Sequence, residues 1–236
     1  MNDFQRTDEW YLARKGMLTA SEIVNILVKG RGKDEVFGKT ALTYLNEKVA
    51  ERFMEDEMFI YYMTDVKKSA PAMRWGTEYE DTARQQYEIY TKRRVMDCPF
   101  TPLKGYEDYV GGSPDGRCST LERIIEIKCP YGYANHIEHC KWNKPEDLLV
   151  GNPQYYAQVQ QNMLITGTEL CDFVSYSPMF RHGLDLHILE VPLDKDYTKY
   201  LMERIDLAVS YMKNQIAEIS KLQTNEDKTC LYPRGI

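Results

Sequence analysis

Glu126 and Lys128 stand two residues apart in "RIIEIKCPYG", residues 123–132, where Ile124, Ile125 and Ile127 supply the apolar content of a short buried strand. Side chains at i and i+2 of a strand point to the same face. An acid and a lysine are thus placed together on a strand that otherwise reads as core. Asp115 lies eleven residues upstream, in the chain's one Pro-Asp pair, within the glycine-bracketed turn Gly111-Gly112-Ser113-Pro114-Asp115-Gly116. A hairpin through residues 117–122 would bring Asp115 beside Glu126. Two such carboxylates can hold a hard divalent cation, which prefers oxygen ligands. A lysine alongside can orient water and stabilise charge on a phosphate. This pattern fits metal-assisted hydrolysis of a phosphodiester. The same residues also allow a plain Glu126–Lys128 salt bridge at a strand edge. The acid-x-Lys triplet recurs at Asp65/Lys67 and Glu226/Lys228, but neither lies in an apolar strand.

The elements that must position these residues can be read from apolar spacing and turn signals. Thr7 is a candidate N-cap for a helix over 7–13, followed by a turn at Gly16. Thr19-Ala20-Ser21-Glu22 opens a second helix carrying Ile23, Ile26 and Leu27, with Ser21 placed either to cap it or to face a ligand. Helical spacing returns over 39–53, over 76–91, over 154–165 and in a long amphipathic helix over 195–221. Strands are expected at 94–98, 106–112, 122–129, 170–177 and 184–191. Residues 55–73 are ambiguous and end in a loop near Pro71, and 131–151 are loop-rich with one short helix. No repeat or linker divides the chain. It reads as a single α/β domain over 1–222 with a polar tail over 223–236.

Bulk properties fit an ordinary globular protein of 236 residues, 43% hydrophobic and 28% charged. No apolar run reaches the roughly 18 residues of a membrane span, and the start MNDFQRTDEW lacks a secretion-signal pattern. The expectation is a cytoplasmic protein. Six cysteines without a C-x-x-C pair agree, and the even spacing of Cys118, Cys129 and Cys140 does not match a zinc or iron–sulfur site. His136 and His139 stand at i, i+3 without a metal-ligand pattern. Net charge is −6, which argues mildly against nucleic acid as a partner. Local basic groups run the other way: Lys29, Arg31 and Lys33 between glycines, Lys67-Lys68, and Lys92-Arg93-Arg94.

The Pro-Asp…Glu-x-Lys arrangement resembles the PD-(D/E)xK nuclease superfamily. Trp10, Arg14-Lys15-Gly16, Thr19-Ala20-Ser21-Glu22, "GTEYEDTAR" from Gly76 to Arg84, "SPDG", "EIKCP" and "YYAQVQ" follow in the order of the phage lambda exonuclease (YqaJ-like) family. They span roughly residues 8–165. The resemblance implies a central mixed sheet flanked by helices, an α/β (α+β) restriction-endonuclease-like core. It also implies a magnesium-dependent exonuclease that removes one strand of duplex DNA from its 5′ end and leaves a 3′ overhang for recombination. Carried over residue by residue, Asp115 and Glu126 ligate magnesium, two ions per site with manganese able to substitute, helped by the backbone carbonyl of Ile127. Lys128 positions or activates the attacking water. Glu80 faces the metals across the cleft, and Gln158 completes the site. Arg14 and Ser21 bind the 5′ phosphate. The family also implies double-stranded DNA ends as substrate, a ring-shaped homotrimer and a single-strand annealing protein as partner, with no membrane role. Two rival readings are an endonuclease with the same core and a non-catalytic DNA-binding or assembly protein. Residues 53–73 and the tail carry no motif of the family.

Overall fold

The computed structural model describes residues 7–32, 35–67, 71–119 and 122–226. Two sheets carry the architecture. Five strands pair in the order β2 (Val95–Met96), β5 (Gly116–Cys118), β6 (Arg123–Lys128), β7 (Leu170–Tyr176) and β8 (Leu186–Pro192). Neighbours in this sheet are antiparallel except β6 and β7, which run parallel. A smaller sheet has β4 (Val110–Gly112) between β1 (Leu18–Thr19), parallel to it, and β3 (Thr101–Pro102), antiparallel. The expected mixed sheet flanked by helices is what forms.

The strand carrying the acid and the lysine is central and covered on both faces. Ile124 joins a cluster with Val159 and Met163 of α7 (Pro153–Thr166), whereas Ile125 and Ile127 pack with Ala83 and Tyr87 of α4 (Pro71–Thr91). Strand periodicity then sends Glu126 and Lys128 to the α7 side. A separate cluster joins α2 (Lys39–Glu51) to α8 (Lys195–Glu226) and to a 3-10 helix over Ala20–Leu27.

Several elements form where capping and spacing demand. Thr7 accepts a 3.2 Å hydrogen bond from the Trp10 amide and starts α1 (Asp8–Arg14). Helix α7 starts with Pro153 behind an Asn152 cap, a 3.1 Å bond from the Tyr155 amide. It stops at Gly167, whose φ of +66° suits the left-handed closing residue. The second helix differs from the α-helix its spacing suggested. Ala20, Ile23 and Ile26 are its buried residues. They recur every third position, the period that stacks on one edge of a 3-10 helix.

Other differences are matters of extent. The ambiguous stretch holds α3 (Asp56–Tyr61) and a π-helical turn over Tyr62–Val66, and α4 begins at Pro71 rather than near 76. The strands expected over 94–98 and 106–112 shrink to β2 and β4, and 131–151 folds two short helices, α5 (Tyr133–His139) and α6 (Pro145–Gly151). Helix α8 runs to Glu226, past the expected boundary at 222, and the rest of the tail lies outside the described residues, as do Lys33 and Lys68. The run Lys92-Arg93-Arg94 is not wholly a solvated face: Arg93 pairs with buried Asp172 at 2.7 Å, beside Arg123 and the Tyr87 hydroxyl. Among the described residues no helix is long and apolar enough to cross a membrane.

Candidate active site

The hairpin expected from the turn chemistry brings the two carboxylates together. Strand β5 pairs with β6 so that Gly116 faces Ile125. The Asp115 amide donates to the Ile125 carbonyl at 3.2 Å, and the Ile127 amide donates to Asp115 Oδ2 at 2.6 Å. Arg84, from α4, reaches the Asp115 carbonyl and also pairs with Asp97. These bonds fix Asp115 at the strand end by backbone geometry.

Glu126 is 1% exposed. Lys128 Nζ donates to its Oε1 at 2.7 Å, and Gln158 donates to the same oxygen. The other face of the Gln158 amide accepts from Lys128 at 3.1 Å, so one amide spans acid and base. Asn162, one turn further along α7, donates to Glu126 Oε2 at 3.1 Å. Its own Oδ1 is buried without a hydrogen-bond partner among the described residues. Gly112 makes room for it: a Cβ there would come 2.4 Å from that oxygen.

Burial pushes the Asp115 carboxyl up to about 7, with Glu126 adding repulsion. Burial likewise raises Glu126, against the pull of Lys128. Lys128 loses some basicity to burial, but Glu126 and Asp115 outweigh this and hold it above its ordinary value. Here Lys128 is an ammonium serving as counter-ion to Glu126, and it lies 4.8 Å from the Tyr155 ring centroid. The bare salt bridge is therefore present, but it joins a second carboxylate and two amides.

A cleft of about 860 Å³ opens over this strand end, lined by Ile127 and Lys128 on one side and by Arg14 and Ser21 on another, with Glu80 also on its wall. The charge of Glu80 bears on Glu126 and Cys129. Arg14 lies 4.1 Å from the Trp10 ring centroid and 5.4 Å from that of Phe100. No described carboxylate is within ion-pair distance of it, Glu9 included. Ser21 does not cap its helix, since Thr19 holds that position, and its hydroxyl is 3.5 Å from Thr19 Oγ1. Gln154 Nε2 bonds the Ser21 carbonyl at 2.9 Å and so ties the 3-10 helix to α7. Of the residues given roles by the resemblance, Arg14, Ser21, Glu80, Ile127 and Lys128 line the cleft, and Asp115, Glu126 and Gln158 meet at the strand end beside it.

Of the neighbouring amides, Gln160 bonds the Pro192 carbonyl and the Asp194 amide, and Gln161 reaches the Leu18 and Gly111 carbonyls. Only Gln158 of the three glutamines turns to the carboxylates. Asn162 and Gln154 were missed by sequence reasoning. The four-residue step from Gln158 to Asn162 was the signal for the first.

Among the described residues no three His, Cys, Asp or Glu side chains gather closely enough to hold a metal by themselves. Asp115 and Glu126 still fit magnesium. They are hard oxygen donors whose charges burial disfavours, and magnesium commonly uses one or two carboxylates while keeping waters and substrate phosphate oxygens.

Comparison with known proteins agrees with this architecture. Residues 9–169 match the model of the YqaJ-like viral recombinase domain. An alkaline exonuclease from Laribacter hongkongensis superposes with a TM-score of 0.73 at 25% identity, covering 93% of this chain and 99% of that one. The same enzyme in complex with dAMP matches equally. A phage-related exonuclease from Haemophilus somnus 129PT shares the fold, with a TM-score of 0.64 at 12% identity, covering 86% and 96% of the two chains. No curated protein matches the chain. The α/β core is thus of the PD-(D/E)xK type seen in the alkaline exonuclease. With 161 of its 236 residues inside the family match, the chain belongs to the YqaJ-like viral recombinase domain family.

Proposed function

We propose that this protein is a magnesium-dependent exonuclease that degrades one strand of linear double-stranded DNA from its 5′ end, leaving 3′ overhangs for recombination by single-strand annealing. One observation carries the reading: a single cleft contains both the Lys128 end of the carboxylate strand and the Arg14/Ser21 pocket. The name of the Laribacter neighbour supports exonuclease chemistry, and the dAMP it binds is a nucleoside monophosphate, the kind of product such a reaction releases.

Asp115, Glu126 and the Ile127 carbonyl would hold the ion or ions, with Glu80 facing them and manganese able to substitute. Bound there, magnesium would supply a more acidic water and stabilise charge on the phosphate. Lys128 stays protonated while paired with Glu126, so its first role is to orient water and neutralise phosphate charge. Gln158 holds Lys128 and Glu126 in register. Arg14, a desolvated guanidinium stacked on Trp10, would take the terminal 5′ phosphate together with Ser21. An end held there sets polarity, because it presents the first linkage to the strand end. Family membership is also the basis for proposing a homotrimeric ring on DNA and an annealing protein as partner.

The test is linear duplex DNA with one 5′-phosphorylated and one 5′-hydroxyl end, incubated with magnesium beside a closed circle, with Lys128→Ala as control. Faster mononucleotide release from the phosphorylated end, absent on the circle and in the variant, is expected. Cutting of the circle would replace this reading with an endonuclease. No cutting with any divalent metal would point to the non-catalytic alternative.

A further inference from the structure

An aromatic corner stands beside the cleft that neither the metal site nor the phosphate pocket uses. Tyr79, on α4, packs into the cluster of Ala83, Tyr87, Ile127 and Tyr176 beneath it. Trp75, one turn earlier, lies on Tyr79 with ring centroids 4.4 Å apart, and Tyr131, from the loop after β6, meets Trp75 edge-on at 5.9 Å. Two of the rings, Tyr79 and Trp75, thus lie along α4, and Tyr131 extends the stack outward from the loop. Tyr131 is 60% exposed. The corner is continuous with the cleft, because Gly76 and Pro130, the chain neighbours of Trp75 and Tyr131, both line it. Arg74, exposed on the cleft wall, has no described carboxylate within ion-pair distance.

We propose that the Trp75–Tyr131 corner is a stacking subsite for an unpaired nucleobase of the DNA end held in the cleft. Tyr131, more than half exposed and held edge-on against Trp75, presents a ring face to solvent beside the cleft. The neighbouring cation selects a flat ring attached to a phosphate over a neutral apolar partner. Stacking on an aromatic side chain tolerates any base, which suits an enzyme that must accept every sequence it meets. The inference rests on the reading of the protein as a DNA-end nuclease and adds to it a base contact, so the bound strand is gripped by base as well as by phosphate and metal.

The experiment measures binding of fluorescein-labelled duplexes with a 5′-phosphorylated, four-nucleotide unpaired end by anisotropy in magnesium, with Lys128→Ala protein to prevent cutting. Tyr131→Ala is added to that background, with Tyr131→Phe as the ring-preserving control and thermal melting to check folding. Each unpaired position is replaced in turn by an abasic nucleotide. The expected result is a loss of about five- to a hundredfold with Tyr131→Ala, little loss with Tyr131→Phe, and one abasic position that costs the parent a similar factor. The two losses do not add at that position. Strict additivity at every position would overturn the subsite, as would a change in sedimenting mass without base dependence, which would assign the corner to a second copy of the chain. If the parent binds no DNA end and the wild type releases no nucleotide, the nuclease reading itself fails. Binding and release by the wild type thus test the function, and non-additivity tests the corner.

Discussion

Asn162 donates a 3.1 Å hydrogen bond to Glu126 Oε2, one helical turn beyond the Gln158 amide that serves Oε1. A buried carboxylate gripped on both oxygens by one helix has its orientation set before any cation arrives. Groups that hold a ligating carboxylate typically matter ten- to a hundredfold for metal affinity or activity. Asn162→Ala should therefore weaken manganese binding, measured by calorimetry, by about that factor. It should lower kcat more than it raises KM for DNA, since Asn162 does not line the cleft. Unchanged metal affinity would reduce Asn162 to a packing residue.

Asp115 makes the opposite trade. Its folded-state pKa, pushed up to about 7, lies above its unfolded value near 3.9. The folded protein therefore prefers it protonated, and the cost to stability builds as pH rises from about 3.9 to about 7 and stands in full above that. Asp115→Asn keeps an oxygen to accept from the Ile127 amide but carries no charge. At pH 8 without metal, this variant should melt above the wild type, at about 2–4 °C per kcal/mol of relief. Magnesium should raise the melting temperature of the wild type and leave the variant unmoved. A variant that melts lower without metal would contradict the electrostatic account.

The sequence made the strand of the candidate site legible because its signals are local. An i, i+2 pair inside an apolar run and a glycine-bracketed Pro-Asp turn need no tertiary information, and the β5–β6 register places them as the hairpin requires. The fate of Gln160 and Gln161 was not legible. Their targets, Pro192 and Asp194 for one and Leu18 and Gly111 for the other, lie in segments distant along the chain. The 3-10 geometry of residues 20–27 was hidden for a related reason. Ile23 and Ile26 satisfy both the α and the 3-10 period, and packing of the short segment decides between them. The pairing of Arg93 was not legible either, because its partner, Asp172, is buried in a strand 79 positions away.

Arg14 should behave as a phosphate reader. Its guanidinium is stacked on Trp10 and has no described carboxylate within ion-pair distance. Lysine cannot reproduce a planar fork that stacks and binds in two-pronged fashion. Arg14→Lys should therefore erase most of the preference for 5′-phosphorylated over 5′-hydroxyl ends, on the order of tenfold for one charge-assisted contact. The slow rate on hydroxyl ends should change little. Initial rates on paired substrates read this ratio directly, and a preference that survives would move the phosphate contact elsewhere in the cleft.

The pH dependence of stability should have a component from the histidines behind the site. His136 Nε2 faces the Leu184 carbonyl at 2.8 Å and must donate, which leaves Nδ1 to accept from Ser175, 2.9 Å away. Ser175 then has no proton left for His139, so His139 Nδ1, at 2.8 Å, donates to it. This arrangement requires His136 to be neutral, whereas His139 donates from Nδ1 whether or not its ring is protonated. Burial, reinforced by His136 and His187, drops His139 to about 4, and burial lowers His136 and His187 as well. Folded values below the unfolded 6.5 mean that the folded state binds fewer protons. The contribution of these rings is present above pH 6.5 and is lost as pH falls towards 4. Buried carboxylates such as Asp115 act with the opposite sign over part of this range, so the informative quantity is a difference between proteins. His139→Gln should unfold at lower urea at neutral pH, yet its midpoint should fall less steeply from pH 6.5 to 4.5 than that of the wild type. Parallel slopes would show that His139 takes up its proton in the folded protein as readily as in the unfolded chain.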